Sequence, residues 1–104
     1  MATRVAFTPE ARAQLLSIYG YVVDQAGPDI AFALTESIID HCESFTTFPL
    51  RGTQRDDIRP GLRTIGFRKR VTIAFDVIGE TITIIGIFYG GQDFESAMNS
   101  DIKE

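Results

Sequence analysis

Residues 70–89 read RVTIAFDVIGETITIIGIFY. Two runs dense in Val, Ile, Thr and Phe flank Gly79-Glu80, the pattern of two strands joined by a tight turn. A two-residue loop with Gly at its first position fits a type II′ turn, whose twist matches that of paired strands. With the turn at 79–80, one face of the hairpin pairs Val77 with Ile82, Phe75 with Ile84, Ile73 with Gly86 and Val71 with Phe88. That face is almost wholly apolar and must lie against another layer. The other face pairs Asp76 with Thr83, Ala74 with Ile85, Thr72 with Ile87 and Arg70 with Tyr89. It is too apolar for a plain solvent face, so Ile85 and Ile87 are expected to be partly exposed unless a partner or the C-terminal tail covers them.

Working outward, residues 62–67, LRTIGF, suggest a further strand, and 50–61, LRGTQRDDIRPG, a charged loop. Nearer the N-terminus, TRVAF at 3–7 is a short strand, and Thr8-Pro9 supplies an N-cap and a proline suited to the first helical position. Leu15, Ile18, Tyr19, Val22 and Ala26 recur at helical spacing, which predicts a helix over 9–26. Gly27-Pro28-Asp29 ends it and starts a second, carried by Ala31, Leu34, Ile38, Cys42 and Phe45 and closed before Phe48-Pro49. So short a turn makes the helices an antiparallel hairpin. The expected fold is α+β, in the order β-α-α-β-β-β, with the helices on one face of an antiparallel sheet. Residues 1–104 form a single domain, in which 92–104 is expected to be a loosely held tail.

With 44% hydrophobic residues in 104, the chain has material for one core. No apolar run approaches the roughly 20 residues a membrane span needs. MATRVAFTPE lacks the apolar stretch of a signal peptide, so a cytoplasmic protein is expected. Cys42 is the only cysteine, which excludes an internal disulfide. Its neighbour His41 is the only histidine, a poor metal set, and neither a metal nor a cofactor is expected. Phosphate-binding glycine loops, the metalloprotease helix motif and the Gly-x-Ser-x-Gly elbow are all missing. Cys42 shares its helical face with Ile38 and Phe45 and reads as a buried structural thiol. His41, at the edge of that face, reads as a packing residue.

The chain carries a net charge of −4, yet residues 51–70 hold seven cationic side chains and two carboxylates. Arg51, Arg55, Arg59, Arg63, Arg68, Lys69 and Arg70 are either solvated loop residues or a surface facing an anion or an acidic partner. Arg63 shares strand parity with Ile65 and Phe67, which also fits an edge residue with its stem along apolar surface.

Four stretches together resemble the RelE/ParE superfamily of toxins from bacterial type II toxin–antitoxin systems, and its ParE branch in particular. They are VAFTPEARAQLLSIYGYV, FTTFPLRG, PGLRTIGFRKRVTIAFDV and ITIIGIFYGGQDFE, covering about nine-tenths of the chain. The resemblance implies a ParD-like antitoxin that binds along the helical hairpin and across the sheet, with Leu15, Tyr19, Val22, Ile85 and Ile87 as contacts. It places operator recognition on the antitoxin and not on this chain. For the ParE branch it implies growth arrest by poisoning DNA gyrase, with Arg63, Arg68, Lys69, Arg70 and Tyr89 as target-binding residues and no catalytic set. Tyr89 stands where that branch often has a histidine. The RelE branch implies instead a ribosome-dependent mRNA endonuclease, in which Arg63, Arg70 and Tyr89 would be catalytic. A decayed toxin that only binds its antitoxin is a third reading.

Overall fold

A computed structural model describes residues 2–90. Its elements are β1 (Arg4–Phe7), α1 (Pro9–Ala26), α2 (Pro28–Glu43), a 3-10 turn (Ser44–Thr46), β2 (Thr53–Gln54), β3 (Arg63–Phe67), β4 (Val71–Ile78) and β5 (Thr81–Tyr89). The Thr8 hydroxyl accepts a hydrogen bond from the Ala11 N–H at 3.0 Å, and Pro9 occupies the first turn of α1. Gly27 alone separates the helices, at φ +96°, a backbone region that favours glycine. Its N–H bonds to the Val23 carbonyl and closes α1, and Pro28 opens α2.

The strand order is β1-β5-β4-β3-β2. The strand and helix order expected from the sequence is observed, with two additions. Two residues of the expected 50–61 loop pair with β3 as β2, and β1 joins β5 in parallel, making the sheet mixed. Both helices lie on one face, where Ala11, Ile18, Val22, Ala31, Ile38, Cys42 and Phe45 meet Val71, Ile73, Phe75, Ile82, Ile84 and Ile87. Each large aliphatic or aromatic side chain among them contributes roughly 1.5–3 kcal/mol by leaving water. The expected tail at 92–104 lies outside the described residues.

The hairpin turn at Gly79-Glu80 and the pairs Val77–Ile82, Asp76–Thr83 and Phe75–Ile84 are observed. Beyond them the expected register is wrong by one residue. A β-bulge between Ala74 and Phe75 leaves Ile85 without an opposite number, so Ala74 faces Gly86, Ile73 faces Ile87, Thr72 faces Phe88 and Val71 faces Tyr89. The slip exchanges faces. Ile87 is therefore buried beneath the helices and not partly exposed, while Phe88 turns to the opposite face. Ile85 is half-buried beside Phe88, Leu62 and Ala74, beneath the loop that carries Ile58. That loop is folded on itself. The Arg55 N–H bonds to the Leu62 carbonyl at 2.7 Å, and the Gly61 N–H to an Asp56 carboxylate oxygen at 2.9 Å.

Where β1 ends, α1 takes over the edge of β5. The Thr8 N–H bonds to the Ile84 carbonyl, and the Thr8 hydroxyl donates to the Ile85 carbonyl at 3.2 Å. The Ile87 N–H then donates to Gln14 Oε1 at 2.8 Å. Side chains thus occupy edge positions that a strand would otherwise pair.

Candidate functional site: a cationic tip and two clefts

The seven cations of residues 51–70 do not act alike. Arg51 donates to the Phe48 and Ser44 carbonyls and stands 5.2 Å over the Phe45 ring. Arg55 forms a salt bridge with Asp57 at 2.8 Å, which holds that exposed carboxyl below the usual range. Arg59 acts electrostatically on Asp76, whose carboxyl is raised by burial and partly brought back by Arg59. Arg63 opposes Phe75, shares the helix-side parity of Ile65 and Phe67, and keeps Nε buried without a hydrogen-bond partner. It lies at the far end of β3 from the β3–β4 turn. Only Arg68, Lys69 and Arg70 are gathered at that turn, all three exposed.

This turn is strained. Arg68 and Lys69 have φ of +54° and +67°, the left-handed region in which a Cβ costs roughly 1–2 kcal/mol per residue. A matched pair for such a turn would be Asn-Gly. Arg68 is steadied by the Phe67 ring, 5.3 Å from its guanidinium, and Phe67 in turn stacks on His41 at 4.5 Å. Replacing Arg68-Lys69 by Asn-Gly is expected to stabilise the fold by about 1 kcal/mol, because strain relief exceeds the added freedom of the unfolded chain. The check is a higher urea midpoint at unchanged slope; an unchanged midpoint would mean that the turn stores no strain.

Two clefts open beside the tip. One, of about 490 Å³, lies between α1 and the end of β5 and is lined by Gln14, Ser17, Ile18, Tyr21, Arg70, Ile87, Tyr89 and Gly90. The other, of about 540 Å³, reaches across to α2 and is lined in part by Tyr21, Gln25, Ile30, Leu34, Arg68, Arg70 and Tyr89. Tyr21 and Tyr89 meet with ring centroids 5.8 Å apart and planes inclined at 59°. Arg70 and Tyr89 do not oppose one another as expected. The Arg70 carbonyl accepts the Gly90 N–H at 2.7 Å, and the two side chains share both clefts. Tyr89 reaches this face because of the bulge. Gln14, Ser17, Tyr21 and Gln25 were missed by the sequence reading; their spacing, three or four residues apart along one helix, was the available signal.

Among the described residues, no carboxylate or histidine lines either cleft. His41 is held below its ordinary pKa, first by burial and then by Arg51; Cys42 is pushed up to about 12, first by burial and then by Glu43. Neither these nor Asp57 and Asp76 line the clefts, so the groups with displaced titration lie outside them, although His41 supports the tip from below through Phe67. Among the described residues, no group of His, Cys, Asp and Glu is placed to hold a metal ion, and no helix is long and apolar enough to cross a membrane.

The residues expected to meet an antitoxin are scattered. Val22 and Ile87 are buried, and Leu15, Tyr19 and Ile85 are partly buried. Fully presented instead are Leu16, at 73% exposure, and the apolar groove of about 360 Å³ that it forms with Phe7, Arg12, Leu15 and Ile39.

Two helices on one face of this five-stranded sheet are the RelE/ParE-like fold. A solved structure described as a chromosomal ParDE toxin–antitoxin system from P. aeruginosa superposes with a TM-score of 0.74 at 26% identity, covering 86% of this chain and 97% of that one. The family model for the ParE toxin of the type II toxin–antitoxin system parDE matches residues 5–94. The chain belongs to that family. No curated protein matches it at a significant level.

Proposed function

We propose that the protein is a cytoplasmic growth-arrest toxin that poisons DNA gyrase and is neutralised by a ParD-like antitoxin. Family membership and the P. aeruginosa ParDE neighbour support the toxin and its partner. The observation that carries the target-facing surface is the strained turn, which presents Arg68, Lys69 and Arg70 beside Tyr89 in an otherwise acidic chain. Natural strain of this kind is kept where it positions something. Arg63 is left out of this surface, since it lies at the other end of β3. The Leu16 groove is the place for an apolar antitoxin segment, with Leu15 as a wall; Tyr19 and Ile85 have partial surface to add.

A plasmid supercoiling assay with purified gyrase and ATP tests the reading. The native chain is expected to suppress supercoiling or accumulate linear DNA, and the antitoxin to reverse this. The double charge reversal Arg68→Glu/Arg70→Glu is expected to abolish the effect while leaving antitoxin binding through the Leu16 groove intact. Intact supercoiling with cleaved ribosome-bound mRNA would replace gyrase by the RelE-like activity. Antitoxin binding with neither effect would identify a decayed toxin.

A further inference from the structure

The two clefts share Tyr21, Arg70 and Tyr89 as lining residues and so adjoin, as two lobes of one trough on either side of these side chains. We infer that this trough binds a short single strand of nucleic acid, with a base against the tyrosines and adjoining phosphates on Arg70 and Arg68. The inference deepens the proposed gyrase reading, on which it rests, by naming what the target-facing surface holds.

Charge is the first argument. In a chain of net −4, the trough is lined by two arginines and, among the described residues, no carboxylate. Such a surface selects anions, and neighbouring cations on a strand turn suit phosphates spaced along a backbone. Ring chemistry is the second. Tyr21 is 55% exposed although it meets Tyr89 in a tilted contact, so much of an aromatic side chain stays open at the rim of a cationic groove. An acidic peptide would use the arginines and leave the ring idle, whereas an unpaired base uses both. Size is the third. Each lobe, at about 490 and 540 Å³, suits a small organic ligand, and a free mononucleotide would occupy only one. Two adjoining lobes suit successive nucleotides. A duplex keeps its bases stacked inside and presents no ring faces to Tyr21.

The test is fluorescence anisotropy of a labelled thymidylate octamer titrated with the full chain. Two phosphate contacts on a single strand give a log–log salt slope of about −1.4, so binding weakens roughly seven-fold between 50 and 200 mM salt. Arg70→Gln is expected to halve that slope. Tyr21→Ala is expected to weaken binding by roughly 5- to 150-fold, while Tyr21→Phe, which keeps the ring face, restores it. Because Tyr21 lies largely outside the core, an unchanged urea midpoint certifies that the alanine variant is folded. A uridylate octamer resolves the sugar, and a preference for either strand upholds the inference. Equal binding of a duplex, competition by thymidine monophosphate as effective as by the octamer, or no effect of Tyr21→Ala overturns it. So does displacement by a polyglutamate peptide that is insensitive to Tyr21→Ala. Loss of supercoiling without octamer binding would sink this inference and leave the gyrase reading standing. Octamer binding with intact supercoiling would do the reverse.

Discussion

Phe45→Ala is expected to cost about 3–5 kcal/mol and to lower Tm by about 15 °C or more. The ring is fully buried, 4.7 Å from Phe75 and 5.2 Å from His41, with the Arg51 guanidinium above it. It joins the end of the helical hairpin to the centre of the sheet, so truncation leaves a cavity that neither layer can fill without moving the other. Against a total stability of roughly 5–15 kcal/mol, that is a large share. The damage also spreads toward the tip. His41 loses its edge-on partner, and His41 is what Phe67 stacks on beneath Arg68. Urea denaturation gives the loss directly. A change below about 1 kcal/mol would mean that the aromatic cluster repacks, and that the tip does not depend on it.

Gly52→Ala is the second large effect, expected at roughly 2–3 kcal/mol. Gly52 has φ +79°, and a Cβ there would stand 2.4 Å from the Thr64 carbonyl oxygen and 3.2 Å from Ile65 Cβ. The obstacle is backbone of β3, which cannot rotate aside. Either β2 leaves β3 or β3 shifts, and in both cases the loop carrying Ile58 and Leu62 loosens over Ala74 and Phe88. Urea denaturation measures the cost, and faster hydrogen exchange at the Arg55 N–H, bonded to Leu62, localises it. Gly52→Asn separates the causes. Asn tolerates the left-handed region but still carries a Cβ, so equal losses for Ala and Asn would make the collision with β3, and not the backbone angle, the main cause.

These two residues also mark what the sequence could and could not tell. Phe45 was legible, since it extends the apolar period of α2 from Ile38 and Cys42. The helical hairpin, with its Thr8-Pro9 start and Gly27-Pro28 corner, was legible for the same local reasons. Gly52 was not. Nothing in LRGTQRDD announces that its backbone packs against Thr64 on the neighbouring strand, because a two-residue strand is too short for periodicity. The bulge at Ile85 was hidden differently. In ITIIGI the apolar phase shifts at Ile84-Ile85, from 82 and 84 to 85 and 87, a sign that strict pairing outward from the turn overrides, and Gly86 is a second. That missed slip moved Ile87 into the core and Tyr89 to the helix side, which is why the trough with Tyr21 could not be assembled from pairing rules alone. Of the cations, sequence proximity grouped seven, while folding set apart Arg68, Lys69 and Arg70.

The parallel pairing of β1 with β5 has a kinetic consequence. Arg4 lies opposite Thr81, so β1 closes on β5 across nearly the whole described chain. Helical and β-hairpins form within microseconds from neighbouring residues, but a contact of such separation carries a larger closure entropy and comes late. During synthesis, β1 and the start of α1 must wait for β5 to emerge, and Gln14 has no Ile87 N–H to bind until then. The trough, whose walls are α1 and the end of β5, does not exist on a partly made chain. Whatever that surface does begins only when translation of the domain is nearly finished.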